Sequence, residues 1–210
     1  MTDFKIPSFF ILFLTFLFLW TYNSRKQQKK YQAEKDAFWE KEKESLVVRK
    51  KEIPANLYYQ PNIHPLHFPK LELDPATAAK YEKLTKQLIN SADLPMLNLN
   101  NLSNTEIRLN FGTANQPVIT QAEENYEAFL GFLYEYALLM QSQDCIEEAI
   151  SAMEEAIRLN SDISKHFFLL GDLYQTVNHS VGIQKLIILA EDLPIVSKEK
   201  TIRYLQQLLT

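Results

Sequence analysis

Few side chains in this 210-residue chain stand at spacings that could do chemistry. His64 and His67 are three residues apart, which on a helix would aim both imidazoles at one metal ion. Pro65 lies between them, and neither a cysteine nor a nearby carboxylate completes the ligand set that zinc needs. They read as loop histidines, and no metal and no cofactor is expected. Cys145 precedes an apolar-periodic run, so it would stand at a helix N-terminus, where a thiol pKa falls. Its neighbours Asp144, Glu147 and Glu148 oppose a thiolate, and a small packing residue is the simpler reading. As the single cysteine it closes no internal disulfide, which fits a reducing compartment. No glycine-rich phosphate loop, nucleophile elbow or His–carboxylate pair occurs. The expectation is a protein that is not an enzyme.

The elements around these residues are helical in character. Only four glycines occur, and the 46% hydrophobic content is enough for a packed core. The net charge of −4 is unevenly spread. Arg25, Lys26, Lys29 and Lys30 form a basic block free of acids, whereas the second half is rich in Glu and Asp. An acidic domain repels phosphates, so no nucleic-acid partner is expected there.

Residues 6–22 carry no charge and end in Trp20 and Tyr22, rings that prefer the headgroup region. At roughly 17 residues the run is at the short end of what spans a hydrocarbon core. The residues after it offer a poor signal-peptidase site, so an uncleaved single-pass anchor is expected. Trp20, Tyr22, Arg25, Lys26, Lys29 and Lys30 are the membrane-surface candidates, with lipid as partner. The positive-inside tendency puts the C-terminal bulk in the cytoplasm; Lys5 and the terminal amine leave the exported orientation open. The basic block reads as a stop-transfer and topology signal, or as attraction to anionic lipid worth about 1 kcal/mol per cation.

From Ser24 to Lys51 the chain is rich in Lys, Glu and Gln without Gly or Pro, so the anchor helix is expected to continue as a polar stalk. Its apolar residues hold no clean heptad, and dimerisation through it is a weak reading. Pro54, Pro61, Pro65 and Pro69, interleaved with Tyr58, Tyr59, Leu66 and Phe68, predict an extended segment docked on a folded domain. Asp74-Pro75 opens a helix that Asp93-Leu94-Pro95 stops. Residues 97–102 alternate apolar and polar like a strand or a solenoid turn. Asn104-Thr105-Glu106 caps a short helix ending at Gly112.

A long helical pattern is expected from Thr120 through Met140, a second through Leu159, and a third carrying Phe167-Phe168-Leu169-Leu170-Gly171-Asp172-Leu173-Tyr174. Shifting by 34 residues maps Leu133 to Phe167, Ala137 to Gly171, Met140 to Tyr174, Ala149 to Ile183 and Ala156 to Ala190. Every pair is apolar or small. The aromatic-x2-Leu-Gly-x2-Tyr run and Ala149-x3-Met153-x2-Ala156 resemble the two helices of a tetratricopeptide repeat. Ser161 departs from the closing proline of that pattern, and Ile183 is large where a small residue is usual, which predicts a splayed second hairpin. A last helix from Ser197 is expected to cap the array. Residues 49–53 with 101–106 are also similar to membrane-anchored bacterial proteins, a likeness that implies no mechanism.

Together these readings give an expected all-α fold: an anchor at 1–23, a charged juxtamembrane helix at 24–52, an extended segment with accessory helices at 53–119, and at 120–210 the module that resembles a tetratricopeptide array. For that module the resemblance implies helical hairpins. It implies a groove, lined by the first helices, that takes a protein or peptide. Tyr134, Leu138 and Gln141 would line it in one copy, and Lys165, Phe168, Asp172 and Gln175 in the other. Chaperone-binding members grip a C-terminal carboxylate with Lys and Asn at such positions, whereas Tyr134, Leu138 and Phe168 stand here, so that specialised use is not expected. Equally open is a groove filled internally by Tyr58, Phe68 or the helix after Asp74. The expected function is a membrane-tethered scaffold or adaptor; the alternative is a structural subunit assembled through its anchor.

Overall fold

The computed structural model describes residues 8–209. Among them the regular structure is all helical, α-helices with two short 3-10 turns, and extended backbone pairs only at an isolated antiparallel bridge between Tyr59 and Met96. The chain forms two compact units, Met1–Lys51 with Ser103–Ala114, and Glu52–Leu102 with Asn115–Thr210.

In the first unit α1 spans Ser8–Leu46 as one helix. Ile6 and Pro7 of the expected anchor lie outside the described residues. The charge-free part that is described, 8–22, extends only about 22 Å at 1.5 Å per residue, against a hydrocarbon core of about 30 Å. No helix among the described residues is long and apolar enough to cross a membrane. The helix also stops at Leu46, short of the expected 52. The β-branched pair Val47-Val48 follows at once, and the irregular backbone beyond it is engaged elsewhere: the Lys51 N–H donates to the Phe111 carbonyl at 3.0 Å.

That partner belongs to α3 (Asn104–Phe111), a short helix expected among the accessory helices but packed on the C-terminal end of α1. Its start is a capping box one residue earlier than expected, with Ser103 and Glu106 satisfying each other's backbone N–H groups. Glu42 of α1 accepts from the Arg108 guanidinium at 2.6 Å and from the Thr105 hydroxyl, while Arg108 Nε donates to the fully buried Ser45 Oγ at 3.1 Å. The helix ends at Gly112, whose φ of +82° no residue with a Cβ adopts cheaply.

The second unit contains α2 (Pro75–Ser91), α4 (Gln116–Ser142), α5 (Ile146–Arg158), α6 (Ser164–Thr176), α7 (Ser180–Asp192) and α8 (Lys198–Gln207). Asp74 caps α2 as expected, accepting from the N–H groups of Ala76 and Thr77. Pro117 sits in the first turn of α4, which therefore starts four residues before Thr120. Consecutive helices from α4 to α8 pack on one another, α2 lies on α4, and α8 also touches α6. The core runs through the unit without a break, with Phe129, Leu133, Met153, Phe167 and Leu173 fully buried.

A 34-residue period is visible in the helix ends. α5 and α7 stand 34 residues apart at both ends, α4 and α6 at their last residues, and α6 and α8 at their first. Their exits repeat as well. Asp144 and Asn178 are both left-handed, with φ of 58° and 55°. The residue after each donates its N–H back across the turn, Cys145 to the Met140 carbonyl at 2.9 Å and His179 to that of Tyr174 at 2.8 Å. This is a Schellman exit with Asp or Asn in place of glycine. Asn160 makes the same exit from α5, the Ser161 N–H reaching the Ala156 carbonyl at 3.1 Å.

The proline-rich segment docks on this unit. Leu66 is buried, Phe68 meets Tyr136 edge-on at 5.6 Å, and the Tyr136 hydroxyl donates to the His67 carbonyl. Glu155, only 4% exposed, accepts the Asn62 N–H at 2.6 Å and holds Arg158, which in turn donates to the Gln60 carbonyl at 2.7 Å.

Candidate partner-binding face

Helices α4 and α6 bring the groove candidates into two clusters. In the first, Lys165 Nζ stands 4.2 Å from the centroid of the Tyr134 ring, a cation–π contact. Beneath it the Tyr134 ring lies 5.4 Å from the His166 imidazole, tilted by 33°. Leu138 is half-buried against the core and Gln141 is half-buried one turn further on. In the second cluster Phe168 meets the Tyr204 ring edge-on at 4.8 Å, and the Tyr204 hydroxyl donates to Asp172 Oδ1. That bond to a carboxylate pushes the Tyr204 phenol up to about 12. Gln175 is exposed at the end of α6.

The ring that meets Phe168 comes from α8. Phe68 instead meets Tyr136, and α2 contributes Tyr81, stacked on Tyr136 at 6.3 Å between centroids. Gly171 explains how α8 comes so close. A Cβ there would lie 2.6 Å from Leu205 Cδ2 and 2.9 Å from Leu208 Cδ1, so the missing side chain is the space those leucines occupy.

His166 is fully buried one residue from the exposed Lys165. Its Nδ1 lies 2.7 Å from Ser161 Oγ, while its Nε2 has no hydrogen-bond partner. Burial first, and the Lys165 ammonium second, hold the imidazole down at about 4. Ser161 Oγ also accepts the Ile163 N–H at 3.3 Å, a local turn before α6, whose N-cap residue Ile163 offers no side-chain cap.

On the opposite side a cavity of about 410 Å³ opens between α5, α6 and α7. Its floor is Ile157, Leu170 and Leu186, and its rim carries Glu154, Arg158 and Lys185. Tyr174 closes one wall by donating to Glu154 at 2.7 Å and by an edge-on contact with His179 at 5.0 Å. Large Ile183, at the position where Ala149 stands in α5, is buried in the core and does not line this cavity. Cys145 sits at the entry to α5, where burial and then Glu148 and Asp144 push its thiol up. Among the described residues no three His, Cys, Asp or Glu side chains cluster closely enough to hold a metal ion.

The membrane-surface candidates all lie on α1. Phe10, Leu12, Phe16, Phe18 and Leu19 are exposed around its circumference, followed by Trp20 and Tyr22 and then by Arg25, Lys26, Lys29 and Lys30. No protein-family model, curated protein or solved structure matches the chain.

Proposed function

We propose that the chain is a non-catalytic, membrane-tethered scaffold that captures a protein or peptide on a tetratricopeptide-like helical face. The 34-residue recurrence of helix ends and left-handed exits carries the reading, since it gives two hairpins the same pitch. Phe168 and Asp172 are engaged by Tyr204, so the accessible part of the face runs from Tyr134 and Lys165 through Leu138 and Gln141. The partner is a segment with a large side chain for the Tyr134–Leu138 surface and a carboxylate for Lys165.

Tethering rests on the apolar end of α1. A helix apolar on every side has no stable home in water, so the described run is read as lying in the bilayer. A short hydrophobic run is accommodated by local thinning and by snorkelling of flanking cations. The bulk of the chain then lies on the cytoplasmic side, after the basic block.

Photo-crosslinking residues placed at Gln141 and Lys165 in intact membranes test the face, with Glu147 on α5 as the control position. Adducts at the first two and none at Glu147 are expected; equal adducts at all three positions would count against a dedicated face. Exchanging residues 6–22 for an unrelated anchor separates the scaffold from the alternative subunit reading. Retained adducts support the scaffold, and their loss supports assembly through the anchor.

A further inference from the structure

The basic block of α1 lies on one side of the helix. At 3.6 residues per turn, Arg25, Lys26, Lys29 and Lys30 occupy a sector of about 140°. Asn23, Ser24, Gln27, Gln28 and Tyr31 fill the remainder with neutral groups. A signal that only stops transfer and sets topology depends on how many cations follow the apolar run, and has no need of this sidedness. The first acid in α1 is Glu34, and its 3.7 Å pairing with Lys30 is the one ion pair the block makes among the described residues. Arg25, Lys26 and Lys29 are exposed and make no ion pair with a carboxylate among the described residues.

The block also sits at the right depth. It begins three residues and ends eight residues after Tyr22, so the cations lie about 4 to 12 Å along the axis from the aromatic edge of the apolar run. That is about one Debye length at physiological salt, the range over which a charged leaflet acts. Trp20 and Tyr22, exposed at the edge itself, set the headgroup level.

We propose that this face of α1 recruits anionic phospholipid, its four cations gathering negatively charged headgroups on one side of the helix. The inference rests on the membrane attachment proposed above and assigns the lipid class that the attachment selects. Because the charge is one-sided, the lipids it gathers are enriched beside that face instead of forming a ring.

The full chain carrying Trp39→Phe, which leaves Trp20 as the reporter, tests this in bilayers of phosphatidylcholine with 30% phosphatidylglycerol, about the anionic fraction at which a leaflet is distinctly charged. Bromine on the acyl chains of either lipid quenches a tryptophan beside it. Brominated phosphatidylglycerol is expected to be about fivefold over-represented next to Trp20, the ratio that one cation near a charged surface supports. Raising salt, or changing Arg25, Lys26, Lys29 and Lys30 together to Gln, should bring the ratio to unity. Equal quenching by the two lipids, or a preference that survives the fourfold substitution, would overturn the proposal. Flotation of the same samples with pure phosphatidylcholine vesicles keeps the two readings apart. A protein that floats but shows no lipid preference loses only this inference, and one that fails to float with either vesicle loses the attachment too.

Discussion

The buried imidazole of His166 makes the stability of the helical unit depend on pH in a defined window. The ring is fully buried, its Nε2 lacks a partner, and the Lys165 ammonium lies next along the helix. Protonation in the folded state would therefore leave a charged N–H without an acceptor and close to another cation. In the unfolded chain the same ring titrates at its ordinary 6.5, and in the folded protein at about 4. A folded value below the unfolded one means that the unfolded chain binds more protons between these limits. The stabilisation is then complete above about pH 6.5 and is lost as pH falls towards 4. A gap of about 2.5 units at 1.36 kcal/mol per unit is worth about 3 kcal/mol, reached with a slope near 1.4 kcal/mol per pH unit. The assay is denaturant unfolding of the full chain in a neutral detergent, at half-unit steps from pH 4 to 7.5, for the native protein and for His166→Phe. The variant loses the Ser161 contact and is less stable throughout, so the difference in slope is what counts. A native curve as flat as the variant's below pH 6.5, or an imidazole resonance of His166 that titrates near 6.5, would refute the reasoning.

Two further substitutions probe how the elements are held. Glu155→Ala removes the acceptor of the Asn62 N–H and the carboxylate that holds Arg158; the half-exposed guanidinium moderates the cost to about 2–3 kcal/mol. Amide exchange should accelerate at Asn62 and proteolysis should appear within 53–69, while unchanged protection there would mean that the segment is held by Leu66 and Phe68 alone. Gly112→Ala forces a Cβ onto backbone with φ of +82° and against the Arg49 carbonyl, with Lys50 Cα only 2.9 Å away. A loss of at least about 2 kcal/mol in the α1–α3 unit is expected, read as faster exchange of the Lys51 amide; wild-type exchange would show that the corner relaxes freely.

Much of the helical framework is legible where local chemistry decides it. Asp74-Pro75 is a cap followed by a residue whose missing N–H costs nothing, and α2 starts there. The 34-residue shift of apolar positions anticipates the matching ends of α5 and α7 because both helices bury the same face against their neighbours. Contacts between residues far apart in the chain are the ones that local pattern misses. Nothing near Asn104 announces that α3 packs on α1, because Glu42 and Arg108 are 66 residues apart and each reads as an ordinary surface charge. Glu155 likewise sits among the solvent-facing acids of α5 until the proline-rich segment brings the Asn62 N–H to it. The early end of α1 had a visible signal in Val47-Val48, outweighed by the helix-forming Lys and Glu before it. Of the groove residues, spacing assigns Tyr134 and Lys165 to separate copies and foresees neither their contact nor the cover that Tyr204 gives Phe168.

That last contact follows from how the 34-residue period runs into α8. Ala137 and Gly171 occupy equivalent positions in α4 and α6, both fully buried or nearly so where the next helix approaches. The third equivalent is Leu205, a large side chain that is itself fully buried and sets its Cδ2 methyl against Gly171. A leucine there fills the space that a small residue keeps open for a neighbouring helix, so α8 closes the period and does not extend it. With Leu205 seated on Gly171, the helical periodicity puts Tyr204 beside it over Phe168 and within reach of Asp172. The residue that sets the depth of α8 therefore also determines which half of the face is covered. What stays accessible is the Tyr134–Lys165 half, which α8 does not cover and where the aromatic ring and the cation are already paired.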